Sequence, residues 1–145
     1  MPLTTQEIYN RVAKHLLAQG GRSQSRDDDG DLVCAYRGAN HTSCAVGCLI
    51  PDEVYTPDIE GGSVTAIAVL EVLVKADVLA AGVLSLPRYN GGGSREGISR
   101  DDAPLEVTLL DLLQRMHDND EAVHWREELQ RISRGLNLDA TVLEN

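Results

Sequence analysis

Residues 102–135 read DAPLEVTLLDLLQRMHDNDEAVHWREELQRISRG, and this stretch decides the fold class. Leu105, Leu109, Leu112, Leu113 and Met116 recur at helical spacing and make one apolar stripe, with Asp102 as a cap and Pro104 in the first turn. Asn119 offers a cap for a second helix, in which Val123 or Trp125, Leu129 and Ile132 face inward until Gly135 stops the run. Two amphipathic helices joined by a few residues predict an antiparallel helical hairpin.

Upstream the same periodicity returns. Ser63 is the expected N-cap of an apolar helix carrying Ile67, Leu70 and Val74, followed by a helical turn over 78–81 that ends at Gly82. Thr4 and Glu7 form a capping box ahead of Ile8, Val12 and Leu16, and Gly20-Gly21 closes that first helix. Between these helices, LVCAYR at 32–37 has strand character and the chain turns through 38–43 to Cys44–Gly47, which predicts a small β-hairpin with an early turn into helix. Pro51, Pro57 and Gly61-Gly62 mark a turn-rich connection. The expected fold is mainly α within the α+β class: a single domain over 1–145 of four or five helices, with one small hairpin after the first. A Gly/Arg loop at about 87–102, with little to bury, is expected to be mobile, and 139–145 is expected to be a short flexible tail.

At 145 residues, 42% hydrophobic and 25% charged, the chain has enough apolar material for one core. It has no Phe and a single Trp, so that core is built from Leu, Val, Ile and Ala. The net charge is −10, and it is uneven: residues 27–62 and 101–145 each carry −7, whereas 1–26 carry +3 and 63–100 carry +1. Such a surface repels phosphate backbones and anionic lipid and favours basic protein surfaces as partners. There is no leader-like segment, and the most apolar stretch, 64–74, is short and broken by Glu71, so neither export nor a membrane span is expected. Three cysteines, an odd number, argue for reduced thiols in a cytoplasm and not for a disulfide framework.

One combination of motifs runs through most of the chain: Cys34-x-Tyr36-Arg37, then CAVGCLIPD at 44–52, Glu60-Gly61, Leu113-Gln114-x-Met116-His117-Asp118, and Trp125 downstream. It resembles a family of small uncharacterised proteins of bacteriophage and bacterial genomes. The resemblance implies a cytoplasmic accessory protein, phage-derived, and brings no activity with it. The glycine-rich insertion at 88–100 falls outside it.

Four constellations carry candidate chemistry. Cys34, His41, Cys44 and Cys48 lie within fifteen residues and offer soft zinc ligands, although paired Cys-x-x-Cys units are missing; small buried thiols are the simpler reading. Cys44, or Cys34 or Cys48, with His117 would make a thiol nucleophile and its base, but Asp118 follows His117 directly, is read as pointing elsewhere, and is assigned to capping the next helix. A calcium loop begun at Ser25 would place Asp27, Asp29, Gly30 and Leu32 correctly, yet Ser25 and Tyr36 stand where Asp and Glu belong, so a solvated Asx-rich turn is preferred. The GGGSR run at 91–95 lacks the Gly-Lys-Ser/Thr ending of a phosphate loop. No metal and no cofactor is expected. The leading expectation is a non-enzymatic regulatory protein that binds a basic partner through Tyr36, Arg37, Asp52, Glu53, Glu121, Glu127 and Glu128; a thiol enzyme and a zinc-stabilised module are the alternatives. Arg37 has a plainer role open to it, tying the hairpin to the acidic 52–60 segment.

Overall fold

The computed structural model describes residues 1–89 and 96–144. Its architecture is mainly α with a small antiparallel hairpin after the first helix, as the sequence predicts. In chain order it contains α1 (Thr5–Gln19), β1 (Gln24–Arg26), β2 (Leu32–Cys34), α2 (Ile67–Lys75), β3 (Arg88–Tyr89), β4 (Gly97–Ile98), α3 (Leu105–Asn119) and α4 (Trp125–Leu136), with short 3-10 segments in several of the connections and after α4.

Helix α1 starts where the capping box requires. Thr4 Oγ1 accepts the Glu7 N–H at 3.1 Å and the Glu7 carboxylate accepts the Thr4 N–H at 3.0 Å. Gly20 then ends the helix in the left-handed conformation, at φ 71°. Ile8, Tyr9, Val12, Ala13 and Leu16 are fully buried against α3 and α4. Each such Leu or Ile side chain contributes roughly 1.5–3 kcal/mol through burial. From α3 the core takes Val107, Leu109, Leu110, Leu113 and Met116, while Leu105, expected inside, is 48% exposed. Trp125 and Leu129 of α4 are fully buried, and the Tyr9 hydroxyl donates to the Leu129 carbonyl at 2.7 Å, pinning α1 to α4.

Several expectations are corrected. The strand at 32–34 pairs with the upstream β1 and not with the downstream Cys44–Gly47 run expected as the second arm: Gln24, Ser25 and Arg26 pair with Cys34, Val33 and Leu32, and the acidic loop 27–31 is the turn between them. Asp27 closes that turn, its Oδ1 accepting the N–H groups of Asp29 (3.0 Å) and Asp31 (2.9 Å), with Gly30 at φ 84°. The expected turn at 38–43 exists, but only the Arg37–Ser43 bridge forms before the chain winds into a helical turn at Gly47–Leu49. Ser63 does not cap α2. Ala66 holds the cap position without a side-chain bond, and backbone supplies the closure: Ile67 N–H donates to the Glu96 carbonyl and Ile98 N–H to the Thr65 carbonyl, both at 3.0 Å.

That closure also shapes both ends of 87–102. Strands β3 and β4 pair, Ile98 is buried, and a Cβ on Gly97 would meet the Thr65 carbonyl oxygen at 2.7 Å. The GGGSR run itself lies outside the described residues. The helical turn assigned to 78–81 sits instead at Ala81–Ser85. Asp102 and Asn119 are not caps either: α3 begins after Pro104 and extends through Asn119, and α4 begins after His124, leaving Val123 78% exposed. The C-terminal stretch contacts the rest of the fold. Gln6 exchanges two 2.8 Å hydrogen bonds with the Asp139 backbone, Leu143 is buried, and the Arg126 guanidinium donates to the Leu143 carbonyl.

Two glycines with opposite surroundings test this packing. A Cβ on Gly47 would sit 2.2 Å from the Tyr36 carbonyl oxygen, whereas one on Gly135, within α4, meets nothing within 4 Å. Gly47→Ala is expected to lower the unfolding free energy by about 1–3 kcal/mol, the usual range for overpacking. Gly135→Ala should raise it by about 0.5–1 kcal/mol through helix propensity. Urea denaturation of the two variants checks both signs.

Candidate functional site

The last turn of α3 carries the densest polar chemistry in the interior. His117 is fully buried, and its ring stacks on Trp125 with centroids 5.6 Å apart. Its Nε2 accepts the backbone N–H of Ser23 at 2.9 Å, so the ring proton resides on Nδ1, which donates to Asp118 Oδ1 at 2.8 Å. The same Oδ1 accepts from Gln114 Nε2 at 2.9 Å, and Gln114 Oε1 accepts the Val46 N–H at 3.1 Å. Ser23 in turn exchanges hydrogen bonds with the Ala35 backbone at 2.8 and 3.0 Å. This corrects the expectation that Asp118 points away from His117 and caps a helix. Consecutive helical residues diverge by about 100°, but the ring turns inward while the short Asp118 side chain, half-exposed, stays beside it.

Of the three thiols, the one grouped with His117 and Asp118 is Cys34, their ligand-capable atoms lying within 4.8 Å of one another. Cys44, the thiol first paired with His117, is fully buried, its Sγ accepting the Gly47 N–H at 3.3 Å. Burial pushes its pKa strongly upward. Cys48 donates to the Ala45 carbonyl at 3.1 Å, and burial raises it to about 12. Cys34 is raised to about 11, first by burial and then by the Asp118 charge. A nucleophilic cysteine needs the opposite environment, cationic and partly exposed.

The zinc set does not assemble. His41 is exposed in the 39–41 turn at φ 61°, away from the grouping at Cys34. The Cys34–His117–Asp118 group also fails as a metal centre on its own chemistry. One ring nitrogen holds the proton given to Asp118 and the other has its lone pair on the Ser23 amide, so neither is free to coordinate. Asp27 uses its carboxylate to close the hairpin turn, which is the solvated Asx turn that the sequence favours over a calcium loop.

The proposed partner-binding residues divide in two. Tyr36 is 5% exposed and its hydroxyl donates to the Gly62 carbonyl at 2.6 Å, which removes it from any contact surface. Arg37 takes the tying role: it bridges to Asp52 at 2.7 Å, donates to the Ile50 carbonyl and lies 5.1 Å over the Tyr55 ring. Beneath them, the Glu60 carboxylate accepts the N–H groups of Tyr36 (2.9 Å) and Arg37 (3.1 Å) and the Tyr55 hydroxyl (2.6 Å). Glu53, Glu121 and Glu127 are exposed, and Glu128 is partly covered and paired with Arg131 at 2.9 Å. The sequence reading missed the hairpin tip, where Asp27, Asp28, Asp29 and Asp31 are all exposed beside Leu32 (56% exposed) and Val33 (41%). The available signal was Asp29-Gly30, a dipeptide that favours tight hairpin turns.

Comparison with protein-family models, with curated proteins and with solved structures finds no match. Among the described residues no helix is long and apolar enough to cross a membrane.

Three outcomes follow from this geometry. A thiol whose folded pKa is raised leaves stability intact below its ordinary value near 9 and withdraws it as pH climbs through the folded value. Thermal stability should therefore hold to about pH 9 and decline toward 11 and 12, the values of Cys34 and Cys48. Iodoacetamide should label Cys34 slowly at neutral pH, and faster with each rise in pH, as peptide mass spectrometry would record. His117→Ala, which strands the Ser23 amide and leaves a void against Trp125, should cost about 2–4 kcal/mol and alter Trp125 emission.

Proposed function

We propose that the protein is a small non-enzymatic interaction protein that presents acid to a basic protein partner, with the β1–β2 hairpin as its leading edge. The observation carrying this reading is the hairpin tip: the Asp28, Asp29 and Asp31 carboxylates have no partner among the described residues. Beside them sit two exposed apolar side chains, Leu32 and Val33, on a ribbon with open edges. Acid at the tip steers a basic surface inward, and the neighbouring apolar pair provides contact area that charge alone does not. Glu53, Glu121 and Glu127 extend the acidic character elsewhere on the surface. The resemblance to phage and bacterial accessory proteins suggests a cytoplasmic setting and a host factor as partner, including one whose basic surface otherwise binds nucleic acid.

A second reading, thiol chemistry, is favoured by the grouping of Cys34 with His117 and Asp118 and would use Cys34 where the sequence suggested Cys44. It requires rapid alkylation near neutral pH, opposite to the outcome expected above.

Affinity capture from host lysate at low ionic strength, followed by quantitative binding to the recovered protein, tests the leading reading. A basic partner is expected whose affinity falls steeply with salt and drops at least tenfold for the combined Asp28→Asn, Asp29→Asn and Asp31→Asn variant. Recovery of nothing specific, or a complex indifferent to both salt and the hairpin substitutions, sinks the proposal.

A further inference from the structure

Beside the Asp118–His117 pair a cleft of about 300 Å³ opens between β2, the 61–64 segment and α3. That volume is at the small end for organic ligands. Its walls include Cys34, Arg100, Asp111, Gln114, Arg115 and Asp118. At one end Asp111 Oδ2 lies 3.1 Å from Arg100 Nε and 3.2 Å from Arg115 Nη2, so a single carboxylate oxygen is ion-paired with two guanidinium groups. Asp111 is 14% exposed, whereas the arginines are 60% and 46% exposed. Each guanidinium carries five N–H donors, and the pair shares the one Asp111 carboxylate, which leaves donors and one positive charge in excess. In a chain of net charge −10 this is an unusual place for uncompensated cations.

At the other end the Asp118 carboxylate is held rigidly by His117 and Gln114 through one oxygen. A carboxylate offers about four acceptor sites, so capacity remains for a further donor. Asp111, Arg115 and Asp118 stand at i, i+4 and i+7 on one face of α3, which separates the two ends by about 10 Å. Two arginines and two aspartates make the lining neutral in sum but polar along its length. A simple anion gains at the arginines and is repelled at Asp118; a molecule with opposite ends gains at both. The Cys34 thiol, grouped with Asp118, is neutral and opposes neither.

We infer that this cleft binds a small bipolar organic molecule, its phosphate or carboxylate on Arg100 and Arg115 and an N–H donor on Asp118. Two sources share that chemistry at the right length: nucleoside monophosphates bearing an exocyclic amine, and dipeptides. The inference is independent of the hairpin's partner.

Titration of the intact protein with both panels, followed by calorimetry and by emission of Trp125, distinguishes the sources. Trp125 is the sole tryptophan and stacks on the ring that Asp118 holds, so it reports on that end of the cleft. One panel is expected to bind. Its affinity should fall tenfold or more when the anion is removed, as in the parent nucleoside or the C-terminal amide. It should fall similarly when the donor is removed, as in a base without the amine or a des-amino peptide with hydrogen in place of the ammonium. The Arg100→Gln and Arg115→Gln double variant alters two exposed side chains, and retention of its melting temperature establishes that it folds; it should lose the same binding. Absence of binding in both panels at millimolar concentration, or binding that the double variant leaves unchanged, overturns the inference.

Discussion

The hydrogen bond that the Ser23 amide gives to His117 Nε2 fixes much of what surrounds it. A buried imidazole must satisfy both nitrogens, and the choice of partner for one dictates the chemistry of the other. With an amide N–H pointing at Nε2, the proton belongs on Nδ1 and must be accepted there, which makes a carboxylate at the neighbouring position the natural complement. Asp118, thus positioned, gathers Gln114, and Gln114 reaches the Val46 amide. A single line of hydrogen bonds therefore joins the approach to β1, the end of α3 and the turn that contains Cys44 and Gly47. It resembles a catalytic relay in composition and differs in its terminus, because the atom that would act as base is already used by backbone.

A second centre governs the other side of the same region. Glu60 accepts two consecutive backbone amides, from Tyr36 and Arg37, and a phenol hydroxyl from Tyr55. Consecutive N–H groups cannot both join one strand edge, so the carboxylate substitutes for the ladder that the chain stops making after the Ala35–Ser23 bond. Gly47 then lies against the Tyr36 carbonyl, where only a hydrogen atom fits. The motif residues that run through the sequence, from Cys34 and Tyr36 through Glu60 to His117 and Trp125, gather around these two centres. Their chemistry is explained by holding irregular backbone in place, a task that helix packing alone cannot perform.

This distribution accounts for what the sequence disclosed. Helix α1 was legible from its caps and its four-residue spacing, because both signals are local and both act in the final fold. The α3–α4 pair was legible from leucine periodicity, although its caps were misplaced: Pro104 and His124 hold the cap positions without side-chain bonds, so the polar residues nearby were free for other work. The hairpin was detected but its strand at 32–34 was assigned the wrong partner. LVCAYR looks like a strand on both sides of Cys34, and only the Asx geometry at Asp27 selects the upstream partner. The start of α2 was illegible for a deeper reason, since its closure comes from the backbone around Glu96 and Ile98, some thirty residues away. At the site, the residue types were visible but their pairing was not. Asp118 beside His117 and Cys34 in place of Cys44 depend on rotamers and on the path of the chain between α1 and β2.

The acidic residues show how structure and surface divide the same chemistry. Where a carboxylate meets backbone amides or a buried ring, as at Asp27, Glu60 and Asp118, its charge is used to shape the chain, and such hydrogen bonds are among the stronger ones available. Where it meets no partner among the described residues, as at Asp28, Asp29 and Asp31, it adds to a repulsive surface charge that disfavours the compact state. Side chains of the second kind contribute no stability to this fold, and concentrating them on a narrow ribbon tip raises the local repulsion further. A basic surface approaching that tip relieves the repulsion as it binds, so the arrangement is more favourable in a complex than alone. The apolar Leu32 and Val33 follow the same logic, since their exposure is a cost that contact with a partner removes. Charge and apolar area, each unfavourable in isolation on one small hairpin, become mutually consistent once that hairpin is treated as one half of an interface.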